Sequence, residues 1–213
     1  MSPVSFLISE ELKLQLKANL ERLERVEIRN PNLRMAAVAV TVTSGPDSSE
    51  ACILLTLRSV SIKRHAGQYA LPGGRIENGE NAKEAAIREM EEEIGIKASS
   101  SQIIGCLDDF GSRSGFRISP VVVWTGPHKE LNPDPQEVQK VFHIPLTELN
   151  QDGISRISTL SENGKQELSL MLPTLGHSIY APTAAILYQF REVALRNQIT
   201  RVGHFEQPRF AWK

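Results

Sequence analysis

The chain predicts an α/β fold built as one domain, and three observations carry that expectation. Asn81 to Ile94 is free of Gly and Pro and rich in Ala, Glu, Lys, Met and Ile, the composition of a helix. Short apolar runs such as Met35 to Thr43, Ala51 to Leu57 and Ile118 to Trp124 read as strands. Both kinds of segment interleave along 213 residues, with no repeat, low-complexity tract or linker long enough to divide them. That mixture fits a single sandwich of helices on a sheet.

Taken in order, Ser9 to Leu23 alternates apolar and charged residues with helical period, and Ser9 is placed to cap it. Met35–Thr43 and Ala51–Leu57 form a strand pair joined by a polar turn around Gly45-Pro46-Asp47. Pro72-Gly73-Gly74 reads as a turn that brings backbone close to another group. The helix from Asn81 stops at Gly95, which takes the left-handed conformation at low cost. Ile103–Phe110 and Ile118–Trp124 make a second pair, linked through Gly111 to Gly115 at the sheet edge. Glu137–His143 is a further strand leading into Pro145 and a short helix, and Gly164–Leu172 is another strand. Pro182–Asn197 reads as a C-terminal helix with Pro near its first turn. Three roles are open to Phe205, Phe210 and Trp212: packing on the N-terminal helix, a homodimer contact, or stacking on a base. Packing is the default for aromatic residues.

Composition narrows the function classes. A 40% hydrophobic content supports a full core. Lys+Arg of 24 against Asp+Glu of 25 gives a net charge of −1, which argues against a broad nucleic-acid surface while leaving room for a local basic pocket. No apolar run reaches membrane-spanning length. Glu10 and Glu11 soon after a short apolar patch speak against a signal peptide, and Ala211-Trp212-Lys213 is not a peroxisomal address. Cys52 and Cys106 lie in apolar runs and read as reduced core residues. The expectation is a cytoplasmic protein with a small-molecule partner, no nucleic acid and no membrane.

The helix carries the chemistry. At about 100° per residue, Glu89, Glu92 and Glu93 span a sector of roughly 100°. Ile87, Met90 and Ile94 share another side and are expected to face the core. Ala82, Ala85 and Ala86 lie near the acidic sector, small enough for a preceding loop to approach it. Three carboxylates on one face repel each other, and bound cations relieve the cost. All-oxygen ligands suit Mg²⁺ or Mn²⁺ rather than Zn²⁺. The competing reading is a solvated acidic face paired to Lys and Arg. The fixed spacing weighs against it, since seven specified positions at about 7% each arise by chance on the order of 10⁻⁸ per start.

The segment 74–96, GRIENGENAKEAAIREMEEEIGI, resembles the Nudix box GX5EX7REUXEEXGU, with U apolar, at every specified position. The resemblance implies a loop–helix–loop within a Nudix-type α/β/α sandwich on a mixed central sheet, with N- and C-terminal helical extensions. It implies hydrolysis of a nucleoside diphosphate linked to another group. It assigns metal binding to Glu89, Glu92 and Glu93, with the Gly73 carbonyl as a further ligand. Glu80 and Arg88 take orienting roles; Arg88 can pair with Glu80 or with Glu84.

Upstream, residues 54–74 read LLTLRSVSIKRHAGQYALPGG and are similar to the coenzyme A pyrophosphatase signature LLTxRSxxLRxHxGQxxFPGG. Lys63 stands where Arg is usual and Leu71 where Phe is usual; the Lys63 change keeps the charge and loses the planar fork. SGFRISPVVV (114–123) and PDPQEVQKVFHIPLTEL (133–149) also resemble that subfamily, and IYAPTAAIL (179–187) does so loosely. The resemblance implies coenzyme A or its thioesters as substrate, cleaved to 3′,5′-ADP and (acyl-)4′-phosphopantetheine. Arg58, Lys63, His65 and Gln68 would contact the substrate. Glu137, ahead of Glu130, is the candidate general base, a surface charge being its alternative role. Other readings are a Nudix enzyme for NADH, ADP-ribose or an oxidised nucleotide, an isomerase on the same fold, and a nucleotide-sensing module. The complete box and the distance of both cysteines from it weigh against the last two.

Overall fold

The computed structural model describes residues 6–59, 67–127, 130–159 and 166–207. Lys63, Arg64, His65, Phe210 and Trp212 lie outside them.

The first helix, α1 (Glu10–Glu21), begins where Ser9 accepts the Leu12 N–H, as its sequence expects. β1 (Arg34–Ser44) and β2 (Ala51–Arg58) pair antiparallel through Val42–Ile53. β3 (Tyr69–Ala70) returns along β2, and β4 (Gly73–Arg75) pairs with the start of β1. Pro72-Gly73-Gly74 is therefore not a turn; its glycines belong to a strand. α2 (Ala82–Ile94) follows, with Asn81 and Glu84 forming a reciprocal capping box and Gly95 ending the helix at φ 77°.

The next expected strand is broken. β5 (Ile103–Cys106) and β6 (Phe110–Gly111) are separated by Leu107, Asp108 and Asp109. The two aspartates leave the ladder to hold other chain segments. Asp108 accepts from the Val26 N–H, Gln189 and Arg201. Asp109 accepts from Arg25, the Ile28 N–H and Ser119. β7 (Phe116–Gly126) runs parallel to β1, and β8 (Val138–Pro145) runs antiparallel to β2. The eight strands make one mixed sheet with the path β3-β2-β1-β7-β5.

Period-two alternation divides its residues between two faces. Ala37, Ala39, Val121 and Val123 pack under α2 against Ala85, Ala86, Met90 and Ile94. Val40, Val42, Val122 and Trp124 face the opposite way, toward Leu12, Leu16 and Leu20 of α1. This is an α/β/α sandwich. Ala85 and Ala86 are fully buried, so their small size seats α2 on the sheet rather than opening the acidic sector. Ile87, expected in the core, is only half-buried.

The remaining elements are α3 (Leu146–Leu149), β9 (Ser155–Thr159), β10 (Gln166–Leu172), β11 (His177–Tyr180), α4 (Thr183–Phe190, continuing in a wider turn to Leu195) and β12 (Phe205–Glu206). The last four strands form a second sheet around β10. Leu168, Leu170 and Leu172 join the same core as Ile186 and Phe190 of α4. Phe205 packs edge-on against Tyr188 of α4, with ring centroids 6.1 Å apart. Cys52 and Cys106 are free thiols, buried and half-buried. No helix among the described residues is long and apolar enough to cross a membrane.

Candidate active site

The acidic helix is organised by one guanidinium. Arg88 donates from Nε to Glu80 at 2.9 Å and from Nη2 to the same carboxylate at 3.1 Å. Its Nη1 reaches Glu89 at 2.9 Å and Glu92 at 2.8 Å, and Nη2 also reaches the Arg75 carbonyl at 3.0 Å. Of the two partners open in sequence, Arg88 takes Glu80, because Glu84 caps the helix. Glu80 in turn accepts the Glu77 N–H at 3.0 Å, which closes the loop ahead of α2. These hydrogen bonds hold the Glu80 carboxyl below its usual range.

The three box glutamates differ in exposure. The Glu92 side chain is 58% exposed, that of Glu89 is 15% exposed, and Glu93 is almost wholly buried. Glu93 is thus not the surface-facing residue that helical spacing alone would make it. Its Oε1 pairs with Arg58 Nη1 at 3.3 Å, while its Oε2 is buried with no hydrogen-bond partner among the described residues. Burial pushes its carboxyl up to about 8, outweighing Arg58 and the Gly73 backbone hydrogen bond; Glu89 and Glu137 push the same way. Glu89 is also raised, chiefly by burial, with Glu92 and Glu137 adding and Arg88 opposing.

β4 lies hard against this helix. A Cβ on Gly74 would stand 2.3 Å from Glu89 Oε1, and one on Gly73 would stand 2.3 Å from the Ala37 carbonyl oxygen. Only glycine allows backbone so near both the carboxylate and β1. The Gly73 backbone also acts on Glu93, drawing its carboxyl pKa down.

The donor set fits a hard divalent cation: carboxylate oxygens, one of them buried and unpartnered, beside a backbone strand. Glu89, Glu92 and Glu93 are the residues that could hold it. They are not gathered into a ligand cluster; among the described residues no three acidic, His or Cys side chains form one. Glu89 and Glu92 instead point to Arg88.

A cleft of about 280 Å³ adjoins this edge. Its lining includes Arg58, Gln68, Gly73 and Gly74, with Ser114 and Phe116 from the β6–β7 region and Thr183 and Ile186 from α4. Arg58 and Gln68 are neighbours across the β2–β3 ends, with the Arg58 N–H donating to the Gln68 carbonyl at 3.0 Å. Arg58 Nε is buried without a partner among the described residues. Glu137 is exposed and joined to this strand end, its carbonyl accepting the Ser59 N–H at 2.8 Å. Glu130 is exposed, with no contact to the cluster among the described residues. The Gly111–Gly115 connection does line the cleft, through Ser112 and Ser114. Arg75 and Phe116, which also line the cleft, fall in the quoted segments 74–96 and 114–123, but their meeting with Arg34 had no signal in the sequence, because the β1–β7 register brings Arg34 to Phe116.

Residues 33–161 match the NUDIX domain family, and the chain belongs to it. A protein described as an uncharacterized Nudix hydrolase, NudL, from Photorhabdus laumondii is 33% identical over 162 residues, spanning 76% of this chain and 85% of its own length. One of the same description from Pectobacterium atrosepticum is 30% identical over 195 residues, 89% of this chain and 95% of its own length. Among solved structures, a MutT/nudix family protein from Enterococcus faecalis is 17% identical, with a TM-score of 0.49, over 78% of this chain and 65% of that one. The chain is a Nudix hydrolase, of a family that generally uses divalent metals and acts on small nucleotide substrates.

Two expectations follow from Glu93. Its raised carboxyl favours the folded state below the ordinary carboxylate range of 4.5, and that stability is lost as pH rises through about 8. In a chelator, urea unfolding should therefore show stability falling between those limits, by up to about 1.4 kcal/mol per pH unit, and Glu93→Gln should flatten the slope. Arg58→Ala removes the cation that opposes this shift. It should also raise the KM for coenzyme A more than that for ADP-ribose, measured by steady-state kinetics at neutral pH.

Proposed function

We propose that the chain is a metal-dependent hydrolase that cleaves the pyrophosphate of coenzyme A or its thioesters to 3′,5′-ADP and (acyl-)4′-phosphopantetheine. One observation carries the reading. Arg58 and Gln68, from the coenzyme A-type segment, line the same cleft as Gly73 and Gly74, whose strand lies against Glu89 and Glu93. Coenzyme A is strongly anionic, and an arginine with an unused donor beside an acidic cation site suits such a ligand. Lys63 and His65 belong to the same segment and to the same proposal.

Mg²⁺ or Mn²⁺ held by Glu89, Glu92 and Glu93, with the Gly73 carbonyl, would neutralise phosphate charge and lower the pKa of a water molecule. The protein's residues do the rest. Arg58 grips a phosphate oxygen and holds Glu93. Arg88 and Glu80 keep the helix and its leading loop in register. Water attacks one phosphorus, the bond to the bridging oxygen breaks on the opposite side, and the second phosphate leaves as its anion. Glu137, close enough to Glu89 and Glu93 to act on their ionisation, takes the proton from the water.

A turnover panel of coenzyme A, acyl derivatives, NADH, ADP-ribose and nucleoside triphosphates should put coenzyme A compounds first in kcat/KM. Activity should vanish in chelator and return with Mg²⁺ or Mn²⁺. A preference for ADP-ribose or NADH would sink the substrate assignment and keep the hydrolase. Glu92→Gln and Glu93→Gln should each lower kcat by on the order of 10²-fold or more without loss of fold, read by kinetics beside circular dichroism.

A further inference from the structure

Beside the cleft lies a second cationic feature that bond cleavage does not use, formed by Arg34, Arg75 and Phe116, the last two among the lining residues. Arg34 opens β1 and Phe116 opens β7, and the parallel register makes them direct neighbours. Ala36 is the register partner of both Ile118 and Arg75, so Arg34, Phe116 and Arg75 belong to one face of the sheet. The Arg34 guanidinium lies 3.9 Å from the centroid of the Phe116 ring, and that of Arg75 lies 5.8 Å from it. Arg34 Nη2 donates to the Ser114 carbonyl at 2.6 Å, tying the cation to a loop that lines the cleft.

Both arginines are exposed, and neither has a carboxylate partner among the described residues. That sets them apart from Arg25, Arg58, Arg88, Arg113, Arg191, Arg196 and Arg201, each of which is paired with an acid. Two like charges about one ring repel each other unless an anion joins them. Stacking on the ring leaves the guanidinium edge free to donate in-plane to phosphate oxygens. The position is also fixed relative to the acidic helix. Arg75 follows Gly74, which abuts Glu89, and the Arg75 carbonyl is held by Arg88.

We propose that Arg34, Arg75 and Phe116 form an anion subsite that reads a phosphomonoester on the nucleotide, separate from the pyrophosphate being cleaved. The inference rests on the substrate class proposed above, whose nucleotide half carries a 3′-phosphate. The subsite determines specificity: it discriminates a nucleotide bearing this extra phosphate from one without it, and it takes no part in bond breaking.

Equilibrium binding of 3′,5′-ADP and of 5′-AMP to the full chain tests it without turnover. The wild type should bind the bisphosphate about tenfold or more tighter, the scale of one charge-assisted hydrogen bond. Arg34→Gln and Arg75→Gln should each shrink that ratio toward one while changing AMP affinity little. Arg34→Lys and Arg75→Lys, which keep charge without the fork, should fall between. Equal affinities in the wild type, equal losses for both ligands in the variants, or no binding of either ligand would overturn the subsite. Coenzyme A hydrolysis by the wild type, run in parallel, separates the two claims. Discrimination without hydrolysis of coenzyme A sinks the substrate assignment alone, and hydrolysis without discrimination sinks the subsite alone.

Discussion

A single buried-edge guanidinium makes this site tenable. Glu80 precedes α2 and Glu89, Glu92 and Glu93 lie in its C-terminal half, and such a group of carboxylates repels itself. Arg88 answers with five hydrogen bonds, two to Glu80, one each to Glu89 and Glu92, and one to the Arg75 carbonyl. A guanidinium has five N–H donors in a rigid fork, and each is used here. Lysine could not reproduce the pattern, because its ammonium lacks the planar geometry that binds one carboxylate with two parallel bonds. The same contacts tie β4, the loop before α2 and the helix into one unit.

That unit is held on the sheet by small residues. Ala37 and Ala39 of β1 meet Ala85 and Ala86 of α2, all fully buried or nearly so, and Met90 and Ile94 extend the contact. The close approach carries Glu93 inward, where Arg58 from β2 and the Gly73 backbone meet it. The ionisation of Glu93 therefore follows from packing density on that face. Desolvation raises it, and a cation bound at the orphaned oxygen would offset the cost. The opposite face of the same sheet supplies the floor of the cleft, so one set of strands serves both the acidic edge and the ligand-sized space beside it.

Much of the site could be read along the chain because helical spacing is local. Asn81, Glu84 and Gly95 set the ends of α2, and the order of Glu80, Arg88, Glu89, Glu92 and Glu93 gives which side chains share a flank. The strand pair Met35–Thr43 and Ala51–Leu57 was legible for the same reason, since alternation and a polar turn are short-range signals. The break at Asp108 and Asp109 was not, because their partners Val26, Ile28, Gln189 and Arg201 lie far away in sequence. The strand character of Gly73 and Gly74 was hidden too, for it depends on pairing with β1.

The amino-acid order by itself determined the family, through the contiguous segment 74–96, and the acidic helix with the identity of its carboxylates Glu89, Glu92 and Glu93, which lie within about two turns of each other. Only the tertiary structure decided that Glu93 is buried while Glu92 stays in water, that Arg88 chooses Glu80 over Glu84, and that Arg34 meets Phe116. Each of those outcomes rests on surfaces contributed by distant segments. Solvent exclusion and parallel register exist only once the layers have closed.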